Sequence, residues 1–437
     1  MQINSYFCMR KQIVIFEVSI MQYQITAPQT LTGTITLPAS KSISNRALII
    51  SALGHNNQTP QNISVCDDTD VMVRALKEMP QTIDIGAAGT AMRFLTAYLA
   101  VTPGQHIITG TERMKHRPIG ILVDALRTLG AKINYVEQEG FPPLDIQGAP
   151  FEGGSITLPG NVSSQYISAL LMIGPTMQRG LQLHLQGDII SRPYIDLTLK
   201  MMRDFGADAR WTGAQEITVA PQPYRSTDYL IENDWSAASY WYQMVALSRD
   251  PQAEILLPGL FADSAQGDSH VAELFRTLGV GTEFRTLADG TTAVRLFKQG
   301  EPAARMEHDF INQPDLAQTF VVTCSLLGIP FHFKGLQSLK IKETDRITAL
   351  IREMGKLGFV IGQANDSEMF WNGEHCPKEE QSGIDTYEDH RMAMAFAPAA
   401  LVLPEVRINN PHVVSKSYPQ YWNTLQQAGF KITEACL

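Results

Sequence analysis

Lysine and arginine recur in short polar segments between apolar stretches, most of them beside glycine, serine or an acidic residue. The pattern occupies segments 40–46, 86–93, 114–118, 340–346, 388–391 and 415–419. Ammonium, guanidinium, hydroxyl and backbone N–H groups are the donors that bind phosphate and carboxylate. These residue types therefore indicate a site for small anions.

Two of the charged runs resist the ordinary explanation, which is an exposed salt-bridge face on a helix. Lys342 and Glu343 stand before the apolar periodicity of the next predicted helix, so they lie outside it. Segment 388–391 leads directly into the apolar run 392–396, and charges at the mouth of a buried helix are costly unless they are used. Asp315 is the acid expected to open a helix within reach of these cations.

Arg117 and Arg192 each precede a proline that is predicted at the first position of a helix. A cation at that end opposes the helix dipole, so the pair suggests an anion between them. Placement on the solvated surface is the alternative for both.

Composition removes several classes of function. The net charge of −9 excludes a general attraction to nucleic acid or to anionic membrane, because both need a basic surface. No GxGxxG, GxxxxGK[ST], HExxH or GxSxG motif is present, so nucleotide-binding, zinc-protease and serine-hydrolase functions have no basis. The ten histidines form no ligand cluster, and we expect no metal. The five scattered cysteines predict no disulfide framework and fit a reducing cytoplasm.

The elements that must position the charged segments repeat along the chain. Five times, an amphipathic helix is predicted to end at a glycine suited to a left-handed C-cap, with a strand after it. Subtracting the positions of these glycines gives spacings of 76, 73, 79 and 71 residues for Gly130, Gly206, Gly279, Gly358 and Gly429. A similar helix over 70–79 precedes them without the glycine. Six such units in 437 residues predict two domains of three units.

Two stretches are also alike in detail. Segments 33–48 and 154–170 each read as a strand, a proline turn, a serine-rich segment and a helix. A helix N-terminus has free N–H groups and a positive dipole end, so the repeated turn offers anion sites. The alternative is that these serines only cap their helices.

Together the motifs resemble one family closely, the 5-enolpyruvylshikimate-3-phosphate synthases, or 3-phosphoshikimate 1-carboxyvinyltransferases. From about Gln22 to the C-terminus, the family's order is followed by SKSISNR, GTAMR, RMKHRPIG, SSQY, SRPYI, IKETDR, DHRMAMA and KSYPQYW. The resemblance implies the two-domain α/β enolpyruvyl transferase fold, an inside-out α/β barrel. Each domain has three repeated βαβαββ-type units, and the active site lies in the cleft between the domains.

The implied domain boundaries leave a short N-terminal extension, residues 1–21. The N-terminal globular domain is 40–231. The C-terminal globular domain is 232–437 completed by 22–39, the segment that contains the first strand.

The resemblance also implies the reaction. The enolpyruvyl group of phosphoenolpyruvate passes to the 5-hydroxyl of shikimate 3-phosphate and phosphate is released, a step of the shikimate pathway to chorismate and the aromatic amino acids. No cofactor, nucleic acid or membrane is implied, and the expected protein is a cytoplasmic monomer. The residues implied for shikimate 3-phosphate are Lys41, Ser42, Arg46, Ser163, Ser164, Gln165, Ser191, Tyr194, Asp315, Ser338 and Lys342. Those implied for phosphoenolpyruvate are Lys41, Gly89, Arg117, Gln165, Arg346, His390, Arg391 and Lys416.

Four residues are implied in catalysis. Asp315 would deprotonate the attacking hydroxyl, and Glu343 would exchange a proton at the methylene carbon of phosphoenolpyruvate. Lys41 or Lys416 would assist at the bridging oxygen.

The chain departs from the family pattern at three positions. Ala87 replaces an asparagine, Phe94 a proline and Ser338 another asparagine. Ala87 removes an amide donor near phosphoenolpyruvate, so sensitivity to glyphosate, which targets this family, does not follow from the resemblance.

Two alternative functions remain. UDP-N-acetylglucosamine enolpyruvyl transferase shares the fold and the donor, but its lysine-asparagine signature is not seen, because Ser42 follows Lys41. Its loop cysteine is also missing between Cys66 and Cys324. A non-catalytic anion-binding homologue is the other alternative, and intact candidate catalytic residues argue against it.

Overall fold

The computed structural model describes residues 21–55, 59–379 and 382–436. The predicted extension lies outside these ranges except for Met21, which is the first residue of a strand. Within the described ranges, no helix is long and apolar enough to cross a membrane.

The strands of the described chain are short. They are β1 Met21–Thr26, β2 Thr32–Thr34, β3 Thr82–Asp84, β4 Gly104–Thr109, β5 Lys132–Tyr135, β6 Leu144–Gly148, β7 Gly154–Pro159, β8 Leu181–Gln186, β9 Ala209–Trp211, β10 Glu216–Val219, β11 Glu254–Pro258, β12 Val280–Thr286, β13 Thr292–Lys298, β14 Met306–Asp309, β15 Phe331–Lys334, β16 Gly362–Ala364, β17 Glu368–Trp371, β18 Val406–Asn409 and β19 Lys431–Cys436.

The α-helices alternate with these strands. They are α1 Lys41–Leu53, α2 Asp67–Glu78, α3 Gly89–Val101, α4 Glu112–Lys115, α5 Gly120–Leu129, α6 Ser164–Ile173, α7 Arg192–Asp204, α8 Trp235–Leu247, α9 Val271–Arg276, α10 Ala317–Leu327, α11 Arg346–Lys356, α12 His390–Phe396 and α13 Tyr421–Gln427. Short 3₁₀ helices lie at Gly174–Thr176, Gly267–His270, Pro314–Leu316, Gln337–Ile341, Ala397–Leu401 and Pro411–Lys416.

Four sheets share one construction, in which a parallel pair of strands is extended by two antiparallel strands. Their orders are β3-β4-β6-β5, β7-β8-β10-β9, β14-β15-β17-β16 and β12-β13-β11-β2. The predicted βαβαββ unit and the α/β class are thereby confirmed. Strand β2 joins its sheet from far away in sequence, with Thr32 paired to Glu254.

The other two predicted units differ from this pattern. A fifth sheet, β18-β1-β19, is antiparallel throughout. The unit that contains α1 and α2 has isolated bridges, Ala39 to Asn233 and Gln61 to Leu230, in place of a sheet.

The glycines predicted to end helices all have left-handed backbone; four of them lie one or two residues after the last helical residue, whereas Gly279 lies three residues after the end of α9. Their φ angles are 115°, 85°, 80°, 93° and 93° for Gly130, Gly206, Gly279, Gly358 and Gly429. Because a residue without Cβ adopts this region without steric cost, the prediction from the repeated pattern is confirmed. Helix α2 ends the same way without a glycine, at Met79 with φ 42°.

Two hydrophobic cores organise the molecule. One draws its residues from Ala39 to Ile231, and we call this part the first half. The other combines residues between Ile25 and Leu37 with residues from Trp235 to Phe430, and we call it the second half. Buried helices occupy the interiors: all of α8 is buried, and so is almost all of α3 and α6. We propose the domain division given above on this basis.

Candidate active site

A cavity of about 190 Å³ lies between the two halves. It is lined by all but one of the residues implied for substrate binding and catalysis. They are Lys41, Ser42, Arg46, Gly89, Arg117, Ser163, Ser164, Gln165, Ser191, Tyr194, Asp315, Ser338, Lys342, Glu343, Arg346, His390 and Arg391. The exception, Lys416, lines an adjoining cavity that shares Arg117 and Glu343 with the first. The structure therefore brings the predicted set together, while the role of each residue stays a prediction.

Helix N-termini position several of these residues. Lys41 is the first residue of α1 and Ser164 the first of α6, while Gly89 opens α3. Ser40 and Ser163 cap their helices by accepting hydrogen bonds from Ile43 N at 3.4 Å and Gln165 N at 3.3 Å. These serines therefore cap their helices, as the alternative predicted. Ser163 also lines the cavity.

Asp315 is surrounded by cations. Its Oδ1 lies 3.3 Å from Lys342 Nζ and 3.1 Å from Arg346 Nη1. Its Oδ2 lies 3.0 Å from Arg391 Nη2 and accepts a hydrogen bond from Tyr194 Oη at 3.3 Å. Burial alone would raise the pKa of Asp315, but the three cations outweigh it and hold the pKa well below its usual value.

Glu343 has a similar environment. Its Oε1 lies 3.1 Å from Lys416 Nζ, and its Oε2 lies 2.9 Å from Arg346 Nη2. Burial again acts to raise the pKa, and Lys416 and Arg346 again outweigh it, so the pKa of Glu343 lies well below its usual value. Both candidate proton-transfer groups are therefore stabilised as carboxylates.

His390 is buried and neutral. Burial first, and then Lys41 and Arg391, keep the pKa of its imidazole well below the usual range. Its Nδ1 is 3.9 Å from Asp389 Oδ1, too long for a hydrogen bond, and that oxygen already accepts from Arg391 N at 2.9 Å. Neither ring nitrogen has a hydrogen-bond partner among the described residues.

Arg46 and Lys41 supply positive charge from the first half. Arg46 is buried and donates to Thr198 Oγ1 at 2.7 Å and Ser168 Oγ at 3.1 Å, which fixes its guanidinium. Burial lowers the pKa of Arg46 to about 10, so a neighbouring anion would stabilise its charged form. Lys41 Nζ lies 3.0 Å from Asp68 Oδ2.

The two arginines that precede a proline lie in different environments. Arg117 lines the cavity, and its guanidinium occupies space that a Cβ at Gly89 would enter, 2.6 Å from Nη1. Helix α5 begins at Gly120, however, and not at the proline that follows Arg117. Arg192 is not among the residues that line the cavity: its side chain is 42% exposed and stacks on Trp211 at 4.1 Å from the ring centroid, which favours the surface alternative.

The departures from the family pattern have structural consequences. Phe94 is buried, and its ring lies under the Arg46 guanidinium at 5.3 Å, a cation–π contact that a proline would not make. Ser338 Oγ is buried without a partner among the described residues and lines the cavity. Ala87 lines the adjoining cavity.

Sequence reasoning missed Arg93 and Asp68, which also line the cavity. Arg93 donates to Gly89 O at 3.0 Å and Pro118 O at 3.3 Å, and it could have been found from its place in the GTAMR motif. Asp68 gave no comparable signal, since acidic residues in the first turn of α2 are explained by the helix dipole alone.

No group of three or more His, Cys, Asp or Glu residues in the described ranges could hold a metal ion.

Buried helices, four sheets of one α/β construction and a cation-lined cleft between two halves define the class of enolpyruvyl transferases. The family model for EPSP synthase (3-phosphoshikimate 1-carboxyvinyltransferase) matches residues 25–84 and 79–425, and the chain belongs to this family.

Similar proteins agree with this assignment. A 3-phosphoshikimate 1-carboxyvinyltransferase of Bacteroides fragilis is 61% identical over 94% of this chain and 99% of its own. One from Pectobacterium atrosepticum is 37% identical over 90% and 96%. The solved EPSP synthase of Acinetobacter baumannii shares the fold with a TM-score of 0.77 at 20% identity, covering 95% of this chain and 100% of its own. The enolpyruvyl transferase NikO of Streptomyces tendae has a TM-score of 0.72 at 14% identity, covering 96% and 100%.

Proposed function

We propose that this cleft transfers the enolpyruvyl group of phosphoenolpyruvate to the 5-hydroxyl of shikimate 3-phosphate, with release of phosphate. Family membership supports the reaction. The observation that carries the proposal is the guanidinium of Arg346, which spans Asp315 at 3.1 Å and Glu343 at 2.9 Å. Two carboxylates held on different nitrogens of one guanidinium can act on two different atoms of a bound substrate pair.

Charge explains how the two substrates meet. Each carries a charge of roughly −3, so they repel each other unless cations converge on both. Lys41, Arg46 and Lys342 would hold shikimate 3-phosphate, together with the serines of α1 and α6. Arg117, Arg346, Arg391 and Lys416 would hold phosphoenolpyruvate.

The proton transfers follow from this placement. Asp315 takes the proton of the 5-hydroxyl as the hydroxyl oxygen bonds to the central carbon of phosphoenolpyruvate. Protonated Glu343 gives a proton to the methylene carbon. The resulting tetrahedral intermediate collapses when Glu343 takes a proton back from the former methylene carbon. The bond between the central carbon and the bridging oxygen of the phosphate then breaks. Lys41 or Lys416 donates to the departing bridging oxygen.

Substrate binding prepares both acids for these steps. The cations that would bind substrate are paired with Asp315 and Glu343. Anionic substrates compete for the same cations and bring negative charge close by, which raises both carboxyl pKa values. A higher pKa makes Asp315 a stronger base and lets Glu343 hold a proton.

Phosphate release from phosphoenolpyruvate tests the proposed function. Purified protein is offered shikimate 3-phosphate and UDP-N-acetylglucosamine in parallel, and we expect release with shikimate 3-phosphate alone. Release with UDP-N-acetylglucosamine alone would establish the alternative transferase. Release with neither would overturn the enzymatic function.

An Asp315→Asn variant tests the assigned base. We expect kcat to fall by about 10²- to 10⁴-fold, because proton transfer is lost. Affinity for shikimate 3-phosphate, measured by calorimetry, should be unchanged or higher, because one negative charge leaves the cation cluster. Asp289→Asn, in an exposed hairpin, is the matched control and should leave kcat unchanged. A full kcat in Asp315→Asn would remove Asp315 from the mechanism.

The cytoplasmic location and the monomeric state stay predictions from the sequence.

A further inference from the structure

A strained turn lies just before residues of the second half that line the cavity. Tyr387 and Glu388 both have left-handed backbone, with φ 52° and 56°. Two successive residues with side chains persist in this region only when surrounding contacts hold them. After one more residue come His390 and Arg391, which line the cavity. Whatever holds the turn therefore also sets where these two side chains lie.

Glu353 of α11 holds the turn on one side. Its side chain is fully buried, and Oε1 accepts a hydrogen bond from Tyr387 Oη at 2.5 Å. Its Oε2 accepts from Asp385 N at 3.0 Å. Lys356 Nζ lies 2.8 Å from Glu353 Oε2 and 2.8 Å from Asp385 Oδ2, so the buried carboxylate has a counterion.

Arg346 holds the turn on the other side. It stands seven residues before Glu353, two turns along one face of α11 and about 10 Å away along the axis. Its Nε lies 2.7 Å from Asp389 Oδ2. A single helix thus fixes the residues before and after the left-handed pair, which leaves the turn no room to relax.

We propose that Glu353 and Tyr387 are positioning residues for His390 and Arg391, and that they act on the phosphoenolpyruvate side of the site. This inference rests on the proposed function, because it uses the assignment of Arg391 to phosphoenolpyruvate. The groups at α1 and α6 that would bind shikimate 3-phosphate do not depend on this turn. Loss of the anchor should therefore weaken the binding of phosphoenolpyruvate more than that of shikimate 3-phosphate.

Kinetics of Tyr387→Phe and Glu353→Gln test this selectivity. Each variant removes part of the anchor while keeping the side-chain shape. We expect KM for phosphoenolpyruvate to rise about tenfold or more, as for other residues that orient a ligand-binding group, while KM for shikimate 3-phosphate stays within about twofold. Tyr387→Phe changes only one hydroxyl, so it keeps the test usable if Glu353→Gln folds poorly.

Tyr242→Phe is the matched control. It also removes a tyrosine hydroxyl bond in the second half, to Thr282 Oγ1 at 3.0 Å, but far from the turn in sequence and outside the cavity lining. Both KM values should stay unchanged in this control. Equal increases of both KM values in Tyr387→Phe, or no change in either, would overturn the proposal.

Hydrogen exchange separates this inference from the proposed function. Turnover of the wild-type protein in the kinetic assay tests the reaction alone. Amide exchange in peptides covering 385–396 should be faster in Tyr387→Phe than in wild type and unaffected in Tyr242→Phe, whether or not turnover is seen. Unchanged exchange in Tyr387→Phe would show that the hydroxyl does not hold the turn.

Discussion

Arg346 matters for both stability and catalysis, because its one buried guanidinium pairs with three carboxylates. It is 1% exposed and contacts Asp315, Glu343 and Asp389, the last of which is also fully buried. Its pKa is raised, since these carboxylates outweigh the effect of burial. Removing one member of such a network leaves charges buried without a partner, which costs far more than the pair contributes on balance.

Replacing Arg346 by Leu should lower the free energy of unfolding by about 3–5 kcal/mol, because one fully buried and two partly buried carboxylates lose a counterion. Urea denaturation at pH 7 measures this change. The control is Arg305→Leu, whose partner Glu307 lies 3.0 Å away and where both side chains are largely exposed, so the cost should stay below about 1 kcal/mol. Similar costs for the two variants would show that the buried network adds nothing to stability.

The helices that carry the site depend on how closely neighbouring backbone approaches them. Gly148 ends β6 against the C-terminal end of α3, the helix that opens with Gly89. A Cβ there would lie 1.9 Å from Thr102 O and 2.1 Å from Leu99 O. Gly355 in α11 is the opposite case, since a Cβ at that position would meet nothing within 4 Å.

Alanine at these two positions should therefore act in opposite directions. Gly148→Ala forces two backbone segments apart and should destabilise the protein by about 1–3 kcal/mol or more. Gly355→Ala lies in a helix with open space around it and should stabilise by about 0.5–1 kcal/mol. Thermal unfolding of both variants beside wild type measures the signs. Destabilisation by Gly355→Ala would mean that α11 needs its flexibility at this point.

Sequence patterns predicted those features of the elements that local chemistry determines. The helix-ending glycines were predictable because the left-handed C-cap needs a residue without Cβ. The anion site was predictable because its cations lie at helix starts. The left-handed pair Tyr387 and Glu388 gave no such signal, since neither is glycine, and its anchor Glu353 reads as an ordinary helix residue. The pairing of Lys342, Arg346 and Arg391 around Asp315 arises only when distant elements are brought together.

Across the whole molecule, His390 and Asp268 impose opposite dependences of stability on pH. The folded-state pKa of His390 lies well below the usual 6.5, so below that pH the unfolded chain binds the extra proton and stability is lost as pH falls. Burial, and then the nearby Asp315, raise the pKa of Asp268 from 3.8 to about 7. Between these values the folded chain binds the extra proton, so stability is lost as pH rises.

The two slopes oppose each other below about pH 6.5 and above the folded-state pKa of His390, each being at most about 1.4 kcal/mol per pH unit for one proton. A variant that removes one of these groups reveals the pH dependence of stability that the other group causes. Relative to wild type, Asp268→Asn should gain stability as pH rises through this window and level off above about pH 7, whereas His390→Gln should lose stability as pH rises. Urea denaturation of the three proteins at half-unit intervals measures these differences, in which titrating groups distant from Asp268 and His390 cancel. Parallel curves for Asp268→Asn and wild type would show that Asp268 ionises normally in the folded protein, and the pH dependence would then belong to His390 and the cation-paired carboxylates alone.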